Sequence, residues 1–357
     1  MLSACIQHKP SFIMPLTNQL FDSFSTLNVL IVGDIMIDRY LTGIISRISP
    51  EAPVPVLRIQ HREDRLGGAA NVALNIKALG ATPYLYSVIG QDQETPAFLD
   101  MLLGHGISVE GVLRDPNRVT TVKTRAIGQH QHLLRIDRED THGLNEKISA
   151  QLLADIRRLL DTERIDVILF QDYNKGVLTV QVIQKIVAEA LLRGIATVVD
   201  PKFDHFWAYQ HVTLFKPNLK EIQQQVNFPV TAKLASLQRA ARHIRANLGN
   251  TYTLITLSEQ GLFIDRLGQG VVLPTYARSV VDVCGAGDTV ASTVALMLAL
   301  DRTPTEIGAL ANLAGGQVCG KQGVVPVDLP QLKREYGLLT NGPEAVRVPC
   351  RPAQLAN

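Results

Sequence analysis

The centre of the chain alternates short apolar runs with longer segments of helical periodicity. The pattern predicts helices over residues 145–160 and 179–193, and strands over residues 165–171, 196–200 and 212–215. Strands and helices that alternate at this spacing favour right-handed crossovers and a mainly parallel sheet. The sequence therefore predicts an α/β fold whose ligand site lies at the carboxyl ends of the strands.

Segments outside this central part complete the predicted fold. An apolar run at residues 28–34 ends in Gly33 and Asp34, which is typical of a strand that is covered on both faces. Residues 54–60 alternate apolar and polar side chains after a proline-rich entry, which indicates a half-exposed antiparallel strand in a lid. Further predictions are a hairpin over 119–136, a strand over 252–257, an edge hairpin over 261–275, and helices that begin near residues 289 and 304.

Composition favours a globular protein with a small-molecule partner. The chain has 357 residues, 46% of them hydrophobic, and a formal net charge of +2. Because basic and acidic residues are interspersed, the chain lacks the concentrated positive charge that binding to nucleic acid or to a membrane surface requires. The scattered cysteines show no CxxC spacing, as in cytosolic proteins with free thiols. Residues 1–26 lack the apolar core of a signal peptide or membrane span, so we expect a loose extension and a cytoplasmic location.

Five polar residues directly follow predicted strands. A shared ligand crevice explains the whole set better than five separate turns do, although each residue alone could be a turn or a helix cap. The five are Asp34, Asp172, Asp200, Asn218 and Ser258.

The segment from Asp282 to Thr289 reads DVCGAGDT and precedes an apolar helical run. Its glycines let the backbone approach an anion, and the N–H groups at a helix start bind phosphate. A carboxylate such as Asp288 repels a phosphate, so it is a poor choice for simple anion binding. Its presence is explained if the carboxylate orients a hydroxyl group for attack on the phosphate. The motif thus predicts phosphoryl transfer, and the alternative is a capped helix after a tight turn. At a helix N-terminus we expect Asp288 to be ionised and therefore a weak base.

Other candidate residues suit a sugar phosphate. Gly67 and Gly68 would let a sugar ring lie against the backbone, and the amide of Asn71 can both donate and accept hydrogen bonds. Asp34 and Asp38 are acceptors suited to sugar hydroxyl groups. Two candidate cations for a phosphate group, each of which could instead be an ordinary surface charge, are Arg138 and Lys175.

Asn218 and Glu221 open a predicted helix with the spacing of a capping box. The functional alternative places Glu221 near nucleotide phosphates through a water-coordinated Mg²⁺, because magnesium keeps several waters and needs few protein carboxylates.

These motifs together resemble the ribokinase-like carbohydrate kinases, or PfkB family, over residues 28–330. The GGAAN and DVCGAGDT strings are similar to the paired signatures of that family. The strings GDIMIDRY, SRISPEAPVPV, DYNKG and KPNLKE further resemble the D-glycero-β-D-manno-heptose 7-phosphate kinases of lipopolysaccharide-core precursor synthesis. The SRISPEAPVPV string, at residues 46–56, is the most specific.

The resemblance implies a ribokinase-like three-layer α/β/α domain with a small β lid. Residues 28–335 would form this domain, with lid segments near 40–60 and 119–136, between an N-terminal extension (1–27) and a C-terminal tail (336–357). It implies ATP and Mg²⁺ as cofactors, leaves a monovalent cation open, and implies a homodimer through the lid. A kinase without a second, nucleotidyl-transferring domain is expected because no HxGH string is present.

The resemblance also assigns roles to individual residues. Asp288 becomes the catalytic base, beside an anion hole of Gly285, Ala286 and Gly287. The nucleotide and its Mg²⁺ would be held by Asn218, Glu221, Ser258 and Gly261. The sugar phosphate would contact Asp34, Asp38, Gly67, Gly68, Asn71, Arg138, Asp172 and Lys175. Cys284 departs from the family pattern, which more usually has a small hydroxyl residue there, but the backbone donors are unaffected.

Three other interpretations stay open. A ribokinase-like kinase for another sugar would share the fold and the late motif. A non-catalytic sugar sensor could share the fold as well. An NAD-dependent oxidoreductase is disfavoured, because no G-x-G-x-x-G string follows the first strand.

Overall fold

The structure is a computed structural model that describes residues 14–129, 131–275 and 279–341. The β-strands of this part of the chain are β1 (Asn28–Gly33), β2 (Ile35–Ile48), β3 (Pro55–Gly68), β4 (Thr82–Gly90), β5 (Val112–Asp115), β6 (Val122–Gly128), β7 (Gln131–Arg138), β8 (Val167–Gln171), β9 (Ala196–Asp200), β10 (Leu214–Phe215), β11 (Tyr252–Thr256), β12 (Leu262–Arg266) and β13 (Gln269–Leu273). The α-helices are α1 (Met14–Phe24), α2 (Ala69–Ala78), α3 (Thr95–Gly104), α4 (Glu146–Thr162), α5 (Val180–Arg193), α6 (Leu219–Gln225), α7 (Leu234–Leu248), α8 (Ala286–Ala299), α9 (Pro304–Cys319) and α10 (Leu329–Asn341).

The main sheet has the strand order β13-β12-β11-β10-β9-β8-β1-β4-β5. Its strands are parallel from β11 through β5, whereas β12 and β13 form an antiparallel hairpin at the edge. The predicted mainly parallel sheet and its late edge hairpin are thus confirmed. Parallel connections place the ends of β1, β8, β9 and β10 side by side, where the polar residues identified from the sequence follow.

Helices cover both faces of the sheet and make three layers. The apolar residues of β1 alternate between two cores: Val29 and Ile31 pack with α1, α2, α3, α8, α9 and α10. Leu30 and Val32 pack with α4, α5, α6 and α7. A strand that is buried on both faces needs apolar side chains at every position, which explains the continuous run read from the sequence.

Four strands form a second, smaller sheet in the order β3-β2-β6-β7. The long strands β2 and β3 pair antiparallel from Ile35–Gly68 at their base to Ile48–Pro55 at their tip. Strands β6 and β7 form the predicted hairpin, although residue 130 of its turn lies outside the described residues. This sheet is the predicted β lid.

The N-terminal region differs from the expected loose extension, because residues 14–24 form helix α1. Its apolar residues Leu20, Phe21 and Phe24 are buried in the core, and the Phe21 ring lies 6.0 Å from that of Tyr336 in α10. Burial of these large side chains stabilises the helix against the domain. Helix α10 also runs through residue 335, the expected end of the domain, whereas residues 1–13 and 342–357 lie outside the described part.

Replacing Phe24 by Ala is expected to lower the free energy of unfolding by about 3 to 5 kcal/mol, because the ring is fully buried and its loss leaves a cavity. Urea unfolding monitored by circular dichroism measures the change. Gln19→Ala, at an exposed position of the same helix, is the matched control and should stay near wild type. Equal stability of the two variants would show that α1 does not contribute to the core.

Within the part of the chain that the structure describes, no helix combines the length and apolar character that a membrane span requires.

Candidate active site

Asp288 lies in the first turn of α8, directly after a glycine turn. Gly285 caps this helix with a φ of 79°, a left-handed conformation that glycine adopts without strain. The carboxylate is buried, with 3% of the residue exposed. The amide of Ala286 donates a long hydrogen bond of 3.3 Å to the carbonyl of Val283. The turn thus presents the N-terminus of α8 beside a buried carboxylate.

Three side chains from distant parts of the chain donate hydrogen bonds to the Asp288 carboxylate. Asn71 Nδ2 lies 2.7 Å from Oδ2, and the Tyr173 hydroxyl lies 2.7 Å from Oδ1. Gln171 Nε2 also donates to Oδ1, at 3.1 Å. These donors fix the orientation of the carboxylate before any ligand arrives.

Burial raises the pKa of Asp288 to about 7, and the carboxylates of Asp200 and Asp38 add to the shift. The hydrogen bonds from Asn71 and Tyr173 act in the opposite direction but do not outweigh burial. The expectation that the helix N-terminus favours ionised Asp288 and makes it a weak base was therefore wrong, because the pKa is raised. Burial disfavours the charged form of a carboxylate, whereas the helix dipole considered in the sequence favours it.

A second buried carboxylate, Asp200, lies next to Asp288 at the end of β9. Gln171 Nε2 donates to Asp200 Oδ2 at 3.1 Å and so bridges the two acidic groups. Lys216 Nζ lies 3.1 Å from Asp200 Oδ1, and 3% of its side chain is exposed. This ion pair neutralises one of two negative charges that burial would otherwise make costly.

Asp34 holds the loop that follows β8. Its carboxylate accepts three backbone hydrogen bonds, from the amides of Tyr173, Lys175 and Val177, at 2.8 to 3.1 Å. Burial raises the pKa of Asp34 although these bonds favour its ionised form. The side chain therefore supports the loop that carries Tyr173 to Asp288.

Asp172 is buried at the start of the same loop. It accepts hydrogen bonds from the Tyr209 hydroxyl at 2.7 Å and from the Asn174 amide at 2.8 Å. Burial and the nearby charge of Asp34 raise the pKa of Asp172 to about 7. Because Asp34 and Asp172 have partners within the protein, their contacts with a sugar phosphate stay predictions.

The base of the lid brings the early glycines to the site. Gly68 has a φ of 60°, and a Cβ there would lie 2.3 Å from the Asp34 carbonyl oxygen. A side chain at Gly67 would collide with the carboxylate of Asp38, which forms an ion pair with Arg125. These two positions favour glycine because the end of β3 packs closely against Asp34, Met36 and Asp38, and because Gly68 has a positive φ.

The helix start at Asn218 lies on the other side of the crevice. Asn218 and Glu221 form the complete capping box, with both hydrogen bonds at 2.8 Å, as the simpler interpretation predicted. The second oxygen of Glu221 accepts a hydrogen bond of 2.5 Å from Lys202. Ser258 and Gly261 follow the neighbouring strand β11, and an isolated parallel bridge joins Asn218 to Thr256.

The sequence matches a known family from β1 to the start of α10. Residues 26–332 match the description "pfkB family carbohydrate kinase". The chain belongs to this pfkB family. The bifunctional protein HldE of Geobacter metallireducens is 40% identical over 309 residues, which cover 86% of this chain and 62% of the relative. HldE of Pseudomonas paraeruginosa is 42% identical over 313 residues, which cover 87% of this chain and 64% of the relative. The chain thus spans less than two thirds of these curated relatives.

Two solved structures share the fold of this chain. Phosphofructokinase-2 from Escherichia coli in complex with potassium superposes with a TM-score of 0.74 at 19% identity, covering 88% of this chain and 99% of that chain. Ribokinase from Arabidopsis thaliana complexed with ribose and ATP gives 0.66 at 16% identity, covering 86% and 98%. The predicted ribokinase-like α/β/α fold is confirmed.

The two predicted phosphate-binding cations of this pfkB kinase form ion pairs with acidic residues near the lid. Lys175 Nζ lies 2.8 Å from Glu139 Oε1, and Lys123 of β6 lies 3.0 Å from the other oxygen of Glu139. Arg138, at the end of β7, pairs with Asp92 at 2.9 Å and has half of its side chain exposed. The structure thus places Lys175 with a second lysine that sequence reasoning missed.

Four other side chains of the site were not recognised as functional candidates from the sequence. They are Gln171, Tyr173, Lys202 and Lys216. Each belongs to a string that resembled the family or lies within two residues of a predicted strand end. Their positions in the sequence could therefore have marked them as candidates. Their partners lie far away in the sequence, for example 115 positions between Tyr173 and Asp288, and only the folded chain shows them.

The thiols of Cys284 and Cys319 are free, whereas Cys5 and Cys350 lie outside the described residues. Burial raises the pKa of Cys284 to about 11, and a hydrogen bond with Asp282 adds to the shift. The thiol beside the glycine turn therefore stays protonated and adds no charge to an anion site at neutral pH.

Proposed function

We propose that this chain transfers the γ-phosphoryl group of ATP to the anomeric hydroxyl of D-glycero-β-D-manno-heptose 7-phosphate. The product is the 1,7-bisphosphate, an intermediate of ADP-heptose and lipopolysaccharide inner-core synthesis. The observation that carries the kinase assignment is the buried, three-fold hydrogen-bonded carboxylate of Asp288 at the glycine-capped N-terminus of α8. Asp288 is assigned as the base, and Gly285, Ala286 and Gly287 are assigned as the anion hole.

In the proposed reaction the anomeric oxygen forms a bond to the γ-phosphorus as the bond to the β,γ-bridging oxygen breaks. ADP leaves with that bridging oxygen, and the hydroxyl proton passes to the Asp288 carboxylate. A base with a pKa of about 7 is well matched to this transfer at neutral pH. The loose transition state of phosphoryl transfer depends more on orientation and electrostatics than on early deprotonation, so the fixed carboxylate suits it.

Specificity for a heptose phosphate is supported by two sets of residues. The first is the lid string at residues 46–56, which resembles heptose 7-phosphate kinases. The relatives that bear the name HldE support the same specificity. The second is the pair of ammonium groups, Lys123 and Lys175, that meet at Glu139 near the base of the lid. We assign Lys175 and Arg138 to the sugar phosphate group, and Asp38, Gly67, Gly68 and Asn71 to the sugar.

The nucleotide is assigned to the crevice beside Asn218, Glu221, Ser258 and Gly261. Among the described residues, no three His, Cys, Asp or Glu side chains form a metal cluster. A single carboxylate such as Glu221 fits a Mg²⁺ ion that arrives with the nucleotide phosphates, because magnesium needs only one or two protein carboxylates. Glu221 would hold the ion through water, and the ion would neutralise phosphate charge. The cytoplasmic location and any monovalent-cation requirement stay predictions.

A panel of sugar phosphates with ATP and Mg²⁺ in a coupled ADP-release assay tests the substrate. We expect D-glycero-β-D-manno-heptose 7-phosphate to give the highest kcat/KM, with unphosphorylated heptose weaker because it lacks the phosphate group that Lys175 and Arg138 are assigned to bind. Activity confined to fructose 6-phosphate or ribose would refute the heptose assignment but leave the kinase assignment intact.

Replacing Tyr173 by Phe is expected to move the pH profile of kcat/KM to higher pH by about one unit. The Tyr173 hydroxyl donates to ionised Asp288 and lowers its pKa, so removing the hydroxyl raises the pKa of the base. The base acts when deprotonated, and the rate therefore recovers only at higher pH. Tyr84→Phe, at a tyrosine paired with Glu163 away from the site, should leave the profile unchanged. An unshifted profile in Tyr173→Phe would contradict the assigned contact.

We also propose that two copies of the chain associate through the lid. The lid sheet exposes large apolar side chains that a monomer would leave in water, including Ile48 at 67% and Leu134 at 59% exposure. Light scattering after size exclusion should give twice the chain mass. The double variant Ile48→Lys, Leu134→Lys should give the chain mass, and an unchanged mass would place the interface elsewhere.

A further inference from the structure

Lys202 lies between the two halves of the candidate active site. It follows β9 by two residues, and β9 lies between β8, which leads to Tyr173, and β10, which leads to Asn218. Because the strands are parallel, their following residues meet at one edge of the sheet. The lysine thus stands between the proposed acceptor side and the proposed nucleotide side.

The Lys202 ammonium contacts both sides. Its Nζ lies 2.5 Å from Glu221 Oε1, on the nucleotide side. It also lies 5.4 Å from the centre of the Tyr173 ring, whose hydroxyl donates to Asp288 at 2.7 Å. A phosphoryl group in transit between the nucleotide and an acceptor held by Asp288 has to pass through this region.

The two lysines of the crevice differ in how available their charge is. Lys216 is 3% exposed and is paired with Asp200 inside the protein. Lys202 keeps 31% of its side chain exposed, so its ammonium can reach a ligand while it contacts Glu221. An ammonium group has three donors, and a hydrogen bond to Glu221 uses one of them.

The surrounding charges keep Lys202 protonated. Although burial alone would lower the pKa of Lys202, the carboxylates of Asp200 and Glu221 raise it to about 12, and Asp288 contributes in the same direction. Three acidic groups around one ammonium create a negative region into which a nucleotide polyphosphate has to enter. The Lys202 ammonium offsets that repulsion.

We propose that Lys202 is a further catalytic residue, whose ammonium binds the γ-phosphoryl group of the nucleotide during transfer. This role rests on the proposed ATP-dependent activity and extends it to a residue that no resemblance assigned. Its charge stabilises the negative oxygens of the phosphoryl group between the Asn218–Glu221 helix start and Asp288. Bond formation and cleavage are those of the proposed reaction, and Lys202 exchanges no proton.

The test compares the affinities for ADP and for AMP-PNP, both with Mg²⁺, by calorimetry, because only AMP-PNP carries a γ-phosphoryl group. In Lys202→Met we expect AMP-PNP binding to weaken about tenfold more than ADP binding, and kcat to fall about a hundredfold. Lys202→Arg, which keeps the charge, should restore a preference for AMP-PNP. Lys220→Met, at an exposed lysine of α6, is the matched control and should behave as wild type.

Equal weakening of both nucleotides, or a kcat within about threefold of wild type, would overturn the role of Lys202. If the Met variant unfolds, Lys202→Gln, which can still hydrogen-bond to Glu221, is held to the same two criteria. The binding comparison needs no sugar, so a wrong sugar assignment does not affect it. A wild-type protein that binds neither nucleotide would instead refute the proposed ATP-dependent function itself, and the role of Lys202 with it.

Discussion

Replacing Asp288 by Asn is expected to lower kcat by roughly a thousandfold while nucleotide binding persists. The amide has nearly the shape of the carboxylate but cannot accept the hydroxyl proton. The proposed nucleotide residues lie across the crevice, at Asn218 and Glu221, so calorimetry with ADP should give an affinity near that of wild type. A coupled ADP-release assay measures the loss of turnover.

The matched control for this variant is Asp301→Asn. Asp301 is exposed just beyond the other end of α8, and its φ of 49° is one that asparagine tolerates. We expect this variant to retain wild-type kcat. Near-normal turnover of Asp288→Asn would show that Asp288 is not the base. Loss of ADP binding would show that the substitution disturbs the fold of the crevice.

Replacing Asp172 by Asn is expected to change the pH dependence of stability. The folded-state pKa of Asp172, about 7, lies above its ordinary value of 3.8, chiefly because of burial. Between these values the native state binds the proton and the unfolded state does not. The wild-type free energy of unfolding therefore falls as the pH rises through this window. The Asn variant lacks this contribution to the pH dependence of stability.

The expected size of the effect is on the order of 3 to 4 kcal/mol between about pH 4 and about pH 8, in favour of the variant at the higher pH. An asparagine can keep partners in the Tyr209 hydroxyl and the Asn174 amide, so its packing cost should be small. Urea unfolding at several pH values measures the difference between the two proteins. Asp100→Asn, at an exposed position of α3, should run parallel to wild type. If the difference in the free energy of unfolding between Asp172→Asn and wild type does not vary with pH, Asp172 is ionised in the folded protein.

The fold was largely predictable because its signals are local. Strands that are buried on both faces appear as continuous apolar runs, as in β1 and β8. Helix starts carry their own caps: Asn145 and Thr179 accept hydrogen bonds from the third residues of α4 and α5. Helix α1 escaped prediction because its three buried residues acquire their burial only through packing against the rest of the domain.

The candidate site was predictable in part. The glycine turn and Asp288 share one short string, and Asn71 also belongs to a recognisable motif, so sequence patterns located them. The donors Gln171 and Tyr173 and the cation Lys202 have side chains that are common on protein surfaces, and their partners are set by the order of strands. The pKa of Asp288 was misjudged because a helix dipole is visible in the sequence whereas the depth of burial is not.

The product formed from ATP and D-glycero-β-D-manno-heptose 7-phosphate tests the proposed reaction. We predict that NMR shows a new phosphate ester whose phosphorus couples to the anomeric carbon and proton of the heptose, with one ADP released per ester formed. An ester on another carbon, or no ester while another sugar phosphate is phosphorylated, would contradict the account.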